Sequence, residues 1–154
     1  MTDFEAAFSH VVGLEGGYVD DPADPGGETK FGISKRAHPD VNIKNLTLEQ
    51  ARAIYHEHYW LPAQCHRLPY PLNAYVFDSA VNQGVGAAVR MLQAAAKVKE
   101  DGVLGPVTIA AVAHDADIAH KFMAERAIRY FGTMNFYRYG KGWLKRIFKI
   151  AREA

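Results

Sequence analysis

Apolar side chains recur at helical spacing along most of the chain, and glycines and prolines interrupt the pattern at intervals. The first apolar stretch follows Thr2 and Asp3, either of which can cap a helix, and Gly16 and Gly17 are expected to end it. Its apolar residues share one helical face: Phe4, Ala7, Phe8, Val11, Val12 and Leu14. The pattern therefore predicts an amphipathic first helix that packs on a core and reaches its last turn at Glu15.

Residues 17–34 cannot continue this helix, because Pro22, Pro25 and four glycines lie among them. We interpret the segment as a loop or small hairpin that ends in a strand-like stretch, residues 29–34. Residues 35–46 show no clear period and are expected to be irregular.

Six further helices are predicted from the rest of the pattern. The first opens with a capping box, Thr47 with Gln50 three positions later, and runs to about Trp60. Its expected inner face holds Leu48, Ala51, Ile54, Tyr55 and His58. The second, residues 72–82, is strongly apolar and should be the most buried. The others cover residues 87–97, a segment beginning at Pro106, residues 115–131 and residues 142–154, with a loop at 135–139 before the last.

Composition changes this picture little. A length of 154 residues suits one domain, and 49% hydrophobic with 23% charged residues is typical of globular proteins. A net charge of +1 gives no reason to expect a nucleic-acid partner. Cys65 is the only cysteine, which excludes a disulfide within the chain. Because the start lacks a secretory signal pattern and no apolar run approaches about 20 residues, we expect a soluble protein made in a reducing compartment. We also expect it to be a monomer.

The last predicted helix carries a basic face beside an apolar stripe. Between Trp143 and Arg152 the cationic residues are Lys145, Arg146, Lys149 and Arg152 itself. Such a stretch is suited to contact with an anionic membrane or polymer surface. Packing of the stripe on the core is the alternative interpretation.

The residues His56, Glu57 and His58 raise the question of a metal site. The two histidines are two positions apart and point to different sides of a helix, unlike the paired ligands of a zinc helix. We therefore expect no metal and no cofactor.

Two carboxylates in the first part of the chain suit glycoside hydrolysis. Glu15 falls on the last turn of the first helix beside apolar neighbours, where partial burial and the helix dipole both raise a carboxyl pKa. A raised pKa is what a general acid needs. Asp24 lies in a stiff proline–glycine bend and could act as the second, ionised group, although capping its own backbone is a compatible alternative.

Polar residues on the predicted helix at 72–82 require partners. Asp78 and Asn82 are four apart and share a face, and Gln83 follows them. They either contact a sugar on the wall of a cleft or form a buried network with a neighbouring helix. Tyr18, Phe31 and Trp60 could stack on sugar rings or pack in the core, and Tyr137 in the loop at 135–139 is expected at the rim of a groove.

Four motifs resemble those of glycoside hydrolase family 108, a family of N-acetylmuramidases known mostly from phage endolysins and bacterial secretion systems. They are EGGY at residues 15–18, DPGGETKFGIS at 24–34, FDSAVNQG at 77–84 and DGVLGPVT at 101–108, the last being similar to a peptidoglycan-binding segment. The resemblance spans nearly the whole chain, and the first two motifs are the most specific.

The resemblance implies a lysozyme-like fold, mainly α-helical, with a small hairpin or loop lobe forming one side of a saccharide groove. It implies a single domain over residues 1–154, with a catalytic half at 1–84 and a helical half at 85–154. Glu15 matches the catalytic glutamate of the family. The order Glu15, Asp24, Thr29 is similar to the catalytic triad of the broader phage-type lysozymes, in which the gap between Asp and Thr is one residue longer.

These expectations combine into one hypothesis: hydrolysis of the β-1,4 bond between N-acetylmuramic acid and N-acetylglucosamine, with Glu15 as general acid. Asp24 and Thr29 would position water or stabilise the developing positive charge, and inversion predicts roughly 6.5–9.5 Å between the two carboxyl groups. A lytic transglycosylase and a non-catalytic peptidoglycan-binding module are the alternatives. As an endolysin, the protein would collect in the host cytoplasm and reach the wall through a holin-type pore.

Overall fold

The computed structural model describes residues 2–12, 17–21 and 26–153. Within these ranges the chain forms seven α-helices and one short hairpin of strands β1 (Thr29–Lys30) and β2 (Ile33–Ser34). The helices are α1 (Asp3–Val12), α2 (Leu48–Tyr55), α3 (Leu72–Gln83), α4 (Val85–Ala95), α5 (Pro106–Ala113), α6 (Ile118–Phe131) and α7 (Phe136–Glu153). This architecture confirms the prediction of a mainly α-helical, lysozyme-like fold with a small β lobe.

Thr2, rather than Asp3, caps α1. The Thr2 backbone N–H donates to the Glu5 carboxylate, and the Glu5 backbone N–H donates to the Thr2 hydroxyl. Phe4, Ala7 and Phe8 are buried on one face of α1, as their spacing predicts. Leu14 and the expected helix end at residues 15–16 lie outside the described residues.

Helix α2 begins with the predicted capping box, and the helical stretch reaches Trp60 as predicted, but its last turn is not α-helical. Thr47 and Gln50 exchange both hydrogen bonds, but after Tyr55 the chain makes one π-helical turn, His56–Trp60. The wider turn closes with the Leu61 N–H bonded to the His56 carbonyl and shifts the phase of the side chains that follow. The core therefore receives Trp60, and the expected inward position of His58 is wrong because its side chain is exposed.

The inner face of α2 is narrower than expected. Ala51 and Tyr55 are buried as predicted, whereas Leu48 is 52% exposed. Leu48 is the first residue of the helix and lies beyond the edge of the surface that α2 buries. Its assignment to the inner face is therefore wrong.

Helix α3 is the centre of the molecule. Nine consecutive residues, from Leu72 to Ala80, are buried, and α3 contacts α1, α4, α6 and α7. Gly84, with a φ of 92°, separates α3 from α4. The prediction that this would be the most buried helix is confirmed.

Helix α7 begins six residues earlier than predicted, so the expected loop at 135–139 is wrong. Gly140 is buried beneath the Phe136 ring, where an added Cβ would lie 2.6 Å from ring carbons. The Phe136 ring in turn packs 4.3 Å from that of Phe131 at the end of α6. A glycine within a helix costs only about 1 kcal/mol, and these aromatic contacts outweigh it.

Cys65 lies in a short 3₁₀ turn, Cys65–Arg67, and its side chain is completely buried. Burial raises the pKa of its thiol. The helices in the described part of the chain include none that is both long and apolar enough to cross a membrane.

Candidate functional site

A small β lobe lies against the helical body. Its hairpin turns at Phe31 and Gly32, which both have positive φ, 51° and 76°, the conformation that a tight two-residue hairpin requires. Val19 pairs with Thr29 through two backbone hydrogen bonds of 2.8 Å, so the segment at 17–21 runs beside β1. The expected strand at 29–34 is therefore a hairpin in itself.

Tyr55 of α2 joins this lobe to the helical body. Its hydroxyl donates a hydrogen bond of 3.0 Å to the carbonyl of Phe31, and its ring packs on Phe8 and Phe77 in the core. An added Cβ at Gly32 would lie 2.5 Å from the same hydroxyl. The side chain of Tyr55 thus holds the hairpin turn against the helical body.

We predict that Gly32→Ala destabilises the protein by about 1–3 kcal/mol, because Ala is strained at this φ and its methyl would push the turn off Tyr55. Denaturant unfolding would measure this effect. Gly105→Ala is the matched control, since an added Cβ there meets nothing within 4 Å and Gly105 is not among the residues around this hairpin. Equal behaviour of the two variants would contradict the assigned role of the turn.

Between the lobe and the helical body is a cavity of about 570 Å³, which we call the interlobe groove. The lobe contributes Gly17, Val19, Thr29, Phe31 and Gly32 to its lining. The helical body contributes Val11, Val12, Tyr55, Val81, Asn82 and Arg146. Four helices and the hairpin thus converge on one cavity, in which valines and Phe31 stand beside the polar groups of Asn82 and Arg146. A concave site of this kind, with apolar walls and a few placed polar groups, is typical of small-molecule sites.

Of the three predicted catalytic residues, Thr29 is described and lines the groove. Its hydroxyl donates a 3.2 Å hydrogen bond to the carbonyl of Gly27. Glu15 and Asp24, and so the separation of their carboxyl groups, lie outside the described residues. The groove does include Val12 and Gly17, the residues that flank the Glu15 segment in sequence.

Asp78 is the centre of a buried ion network. Its carboxylate accepts hydrogen bonds of 3.0 and 3.1 Å from Arg146 Nε and lies 2.7 Å from Arg146 Nη2. On its other side Arg126 Nη2 lies 2.6 Å away, and both Asp78 and Arg126 are almost inaccessible to solvent. Of the two interpretations of Asp78, the structure supports the buried network.

Arg146 extends from this network to the groove, with about a third of its side chain exposed. Burial alone would lower the pKa of Arg146, but the charge and hydrogen bonds of Asp78 outweigh it and raise the pKa above its usual value. Arg146 is therefore a permanent cation at the groove wall.

Asn82 and Gln83 lie at different depths. Asn82 lines the groove and accepts a short hydrogen bond from the Tyr130 hydroxyl. Gln83 accepts from Arg126 Nε at 3.1 Å and from the Ser79 hydroxyl at 3.0 Å. Asn82 is thus placed to contact a ligand, whereas the carbonyl oxygen of Gln83 is engaged in the ion network.

The four aromatic candidates do not come together. Phe31 lines the groove, whereas Tyr18, on the lobe, donates its hydroxyl to Glu28 at 2.6 Å. Trp60 is buried against Phe4 near the start of α1, about 10 Å along the helix from the groove residue Val11. Tyr137 is fully exposed on the first turn of α7, about 13 Å along that helix from Arg146.

The motif at 101–108 is stabilised by an internal network. The Gln93 side chain, buried on α4, donates to the Asp101 carboxylate at 2.8 Å and to the Val103 carbonyl at 3.0 Å, and accepts from the Gly102 N–H at 2.8 Å. The bond from Gln93 is also the main reason that the pKa of Asp101 is lowered. The polar groups of this motif thus form hydrogen bonds that stabilise the loop. These bonds explain the residue pattern of the motif without a bound ligand.

Sequence reasoning missed Tyr55 and Arg146 as groove residues. The pattern placed Tyr55 on the inner face of its helix and Arg146 on a basic surface. It predicted neither the contact of Tyr55 with the hairpin nor that of Arg146 with Asp78. The one signal available was Asp78 itself, since a carboxylate on an apolar helix needs a cationic partner. No cluster of three or more metal-ligating side chains occurs in the described ranges.

Comparisons with known proteins bear on this site. The sequence profile described as glycosyl hydrolase 108 matches residues 8–84, half of the chain. A solved structure, described as that of Brucella abortus SagA, is similar with a TM-score of 0.85 and 35% sequence identity, over 97% of this chain and 92% of that one. No curated protein sequence matches the chain significantly.

Proposed function

Because this chain belongs to glycosyl hydrolase family 108 and is a glycosidase of peptidoglycan, we propose that it cleaves the β-1,4 bond on the reducing side of N-acetylmuramic acid. The observation that supports this proposal is the interlobe groove, an open cavity of about 570 Å³ whose walls come from both lobes. A glycan strand is a linear polymer, and such an open cavity can accept it without a free end.

Glu15 is the proposed general acid. It protonates the leaving glycosidic oxygen as the bond to the muramic acid ring breaks and positive charge develops on that ring. Asp24, assisted by the hydroxyl of Thr29, is proposed to orient a water on the opposite face and accept its proton. Phe31 offers an apolar wall for a sugar ring, and Asn82 offers an amide for its polar substituents.

Digestion of purified sacculi followed by mass spectrometry tests this reaction. We expect fragments that end in a reducing muramic acid, which borohydride converts to muramitol with a mass increase of 2 Da. The inverting course predicted from the sequence would give the α-anomer first, which NMR of an early time point would detect.

Three other outcomes would contradict the proposal. Anhydro-muramyl ends would identify a lytic transglycosylase, and reducing glucosamine ends would identify cleavage at the other bond. Sacculus binding with no new ends would identify a binding module.

We further propose that the protein acts as a phage endolysin, held in the cytoplasm of its host until a holin-type pore opens. Co-expression with and without a holin in a host bacterium would test this, with lysis expected only in the first case.

A further inference from the structure

A second cavity opens beside the interlobe groove. It has a volume of about 340 Å³, and we call it the basic annex. Three residues, Val11, Asn82 and Arg146, line both cavities. The two cavities are therefore neighbours, and a substituent of a ligand in the groove would lie close to the annex.

The annex has an excess of positive charge among the described residues. Its lining includes three cationic residues of α7, Lys145, Arg146 and Lys149, and Arg126 is buried behind them. The carboxylates in the lining are those of Asp78 and Glu153. Glu153 is itself 3.2 Å from Arg152, so it offsets little of the charge that lines the cavity. Such a concave cationic surface attracts anions.

Arg146 is not needed to neutralise the core. Asp78 already has a fully buried partner in Arg126, at 2.6 Å, so one negative charge faces two arginines. The second arginine lies where the two cavities meet, partly exposed and oriented by its bonds to Asp78. A guanidinium held in this way is suited to binding a carboxylate.

We propose that the basic annex binds the free carboxylates of the peptide that peptidoglycan carries on each muramic acid. This inference rests on the proposed function, because it requires a glycan strand in the interlobe groove. The lactyl-linked peptide is the substituent that leaves the strand sideways, and its carboxylates match the cations of Arg146, Lys145 and Lys149. The annex thus makes the enzyme prefer glycan that bears peptides with free carboxyl groups.

A membrane is a poorer occupant of this surface. The annex is concave, and Trp143, which lines it, has its ring stacked at 4.9 Å on Tyr130 of the body. An interfacial helix instead presents an exposed apolar face to the lipid.

The test compares two substrates and three proteins. The substrates are sacculi freed of phosphate polymers, either untreated or with their carboxyl groups converted to methylamides. The proteins are wild type, Lys145→Gln/Lys149→Gln and the control Lys99→Gln/Arg129→Gln, which removes the same charge from exposed positions outside both cavities. Binding by co-sedimentation in a Glu15→Gln background accompanies the cleavage rates, so the inference is tested even if the chain proves not to cleave this bond.

Wild type and control should bind and cleave the untreated sacculi roughly fivefold better than the methylamidated ones. The annex variant should lose that preference, and added salt should weaken it in the other two. Equal binding of both substrates by wild type would overturn the proposal, and so would an equal loss by the annex variant on both. Tighter binding of wild type to anionic phospholipid vesicles than to sacculi, abolished in the annex variant, would assign the surface to a membrane instead.

Discussion

Replacing Glu15 by Gln is expected to lower the rate of glycan cleavage by about 10²–10⁴-fold, the usual contribution of general acid catalysis. Glutamine has nearly the same shape as glutamic acid but has no proton to give to the leaving oxygen. The stability and the affinity for sacculi should change little. The measurement is the release of reducing muramic acid ends at saturating sacculus concentration.

Glu49→Gln provides the matched control, since it makes the same chemical change at an exposed position in the first turn of α2. Its activity should equal that of the wild type. Near-normal activity of Glu15→Gln would remove the acid from the proposed mechanism. A loss of activity accompanied by unfolding would assign Glu15 a structural role.

Replacing Asp78 by Ala is expected to destabilise the protein by about 3–5 kcal/mol, because Arg126 would remain buried without a carboxylate. Arg126 is completely inaccessible to solvent, and its Nη1 has no hydrogen-bond partner among the described residues. Denaturant unfolding would measure the loss. In a chain of this size, the same change lowers the melting temperature by roughly 10 °C.

Asp115→Ala is the control for this substitution, as it removes a carboxylate from a pair with Lys121 near the surface, in which both side chains are partly exposed. Exposed pairs contribute about 0–1 kcal/mol. Adding Arg126→Met to Asp78→Ala should recover part of the lost stability by removing the unpaired charge. A single Asp78→Ala variant as stable as the control would show that the network does not hold the core together.

Elements with a local physical cause could be predicted from sequence. Thr47 and Gln50 form their capping box within one helical turn, Pro106 begins α5, and the apolar run at 72–82 becomes the central helix. Each of these elements depends on residues that are close together in the chain, so a local sequence pattern is enough to predict it.

Elements that depend on contacts between residues far apart in the chain could not be predicted from the sequence. The π-helical turn at His56–Trp60 moves Trp60 into the core, where it packs on Phe4 and Phe77. The first turn of α7 forms over Gly140 because Phe136 packs on α6. Local spacing favours a loop there, and only the tertiary contact reverses it.

The residues of the candidate site also fall into two groups, those that the sequence could predict and those that it could not. Thr29, Phe31 and Asn82 could be named because they belong to specific motifs, and the structure brings them to one groove. Arg146 could not be named, since 68 residues separate it from Asp78 and nothing local marks which basic residue of α7 turns inward. The missing information was the packing of α7 against α3.

The burial of Cys65 has a consequence for where the protein can work. A thiol without access to solvent and with a raised pKa presents almost no thiolate to oxidants or to another copy of the chain. With no second cysteine in the sequence, the folded chain can neither form an internal crosslink nor readily form one to a neighbour. A change from reducing to oxidising surroundings should therefore leave its covalent structure, and so its activity, unaltered.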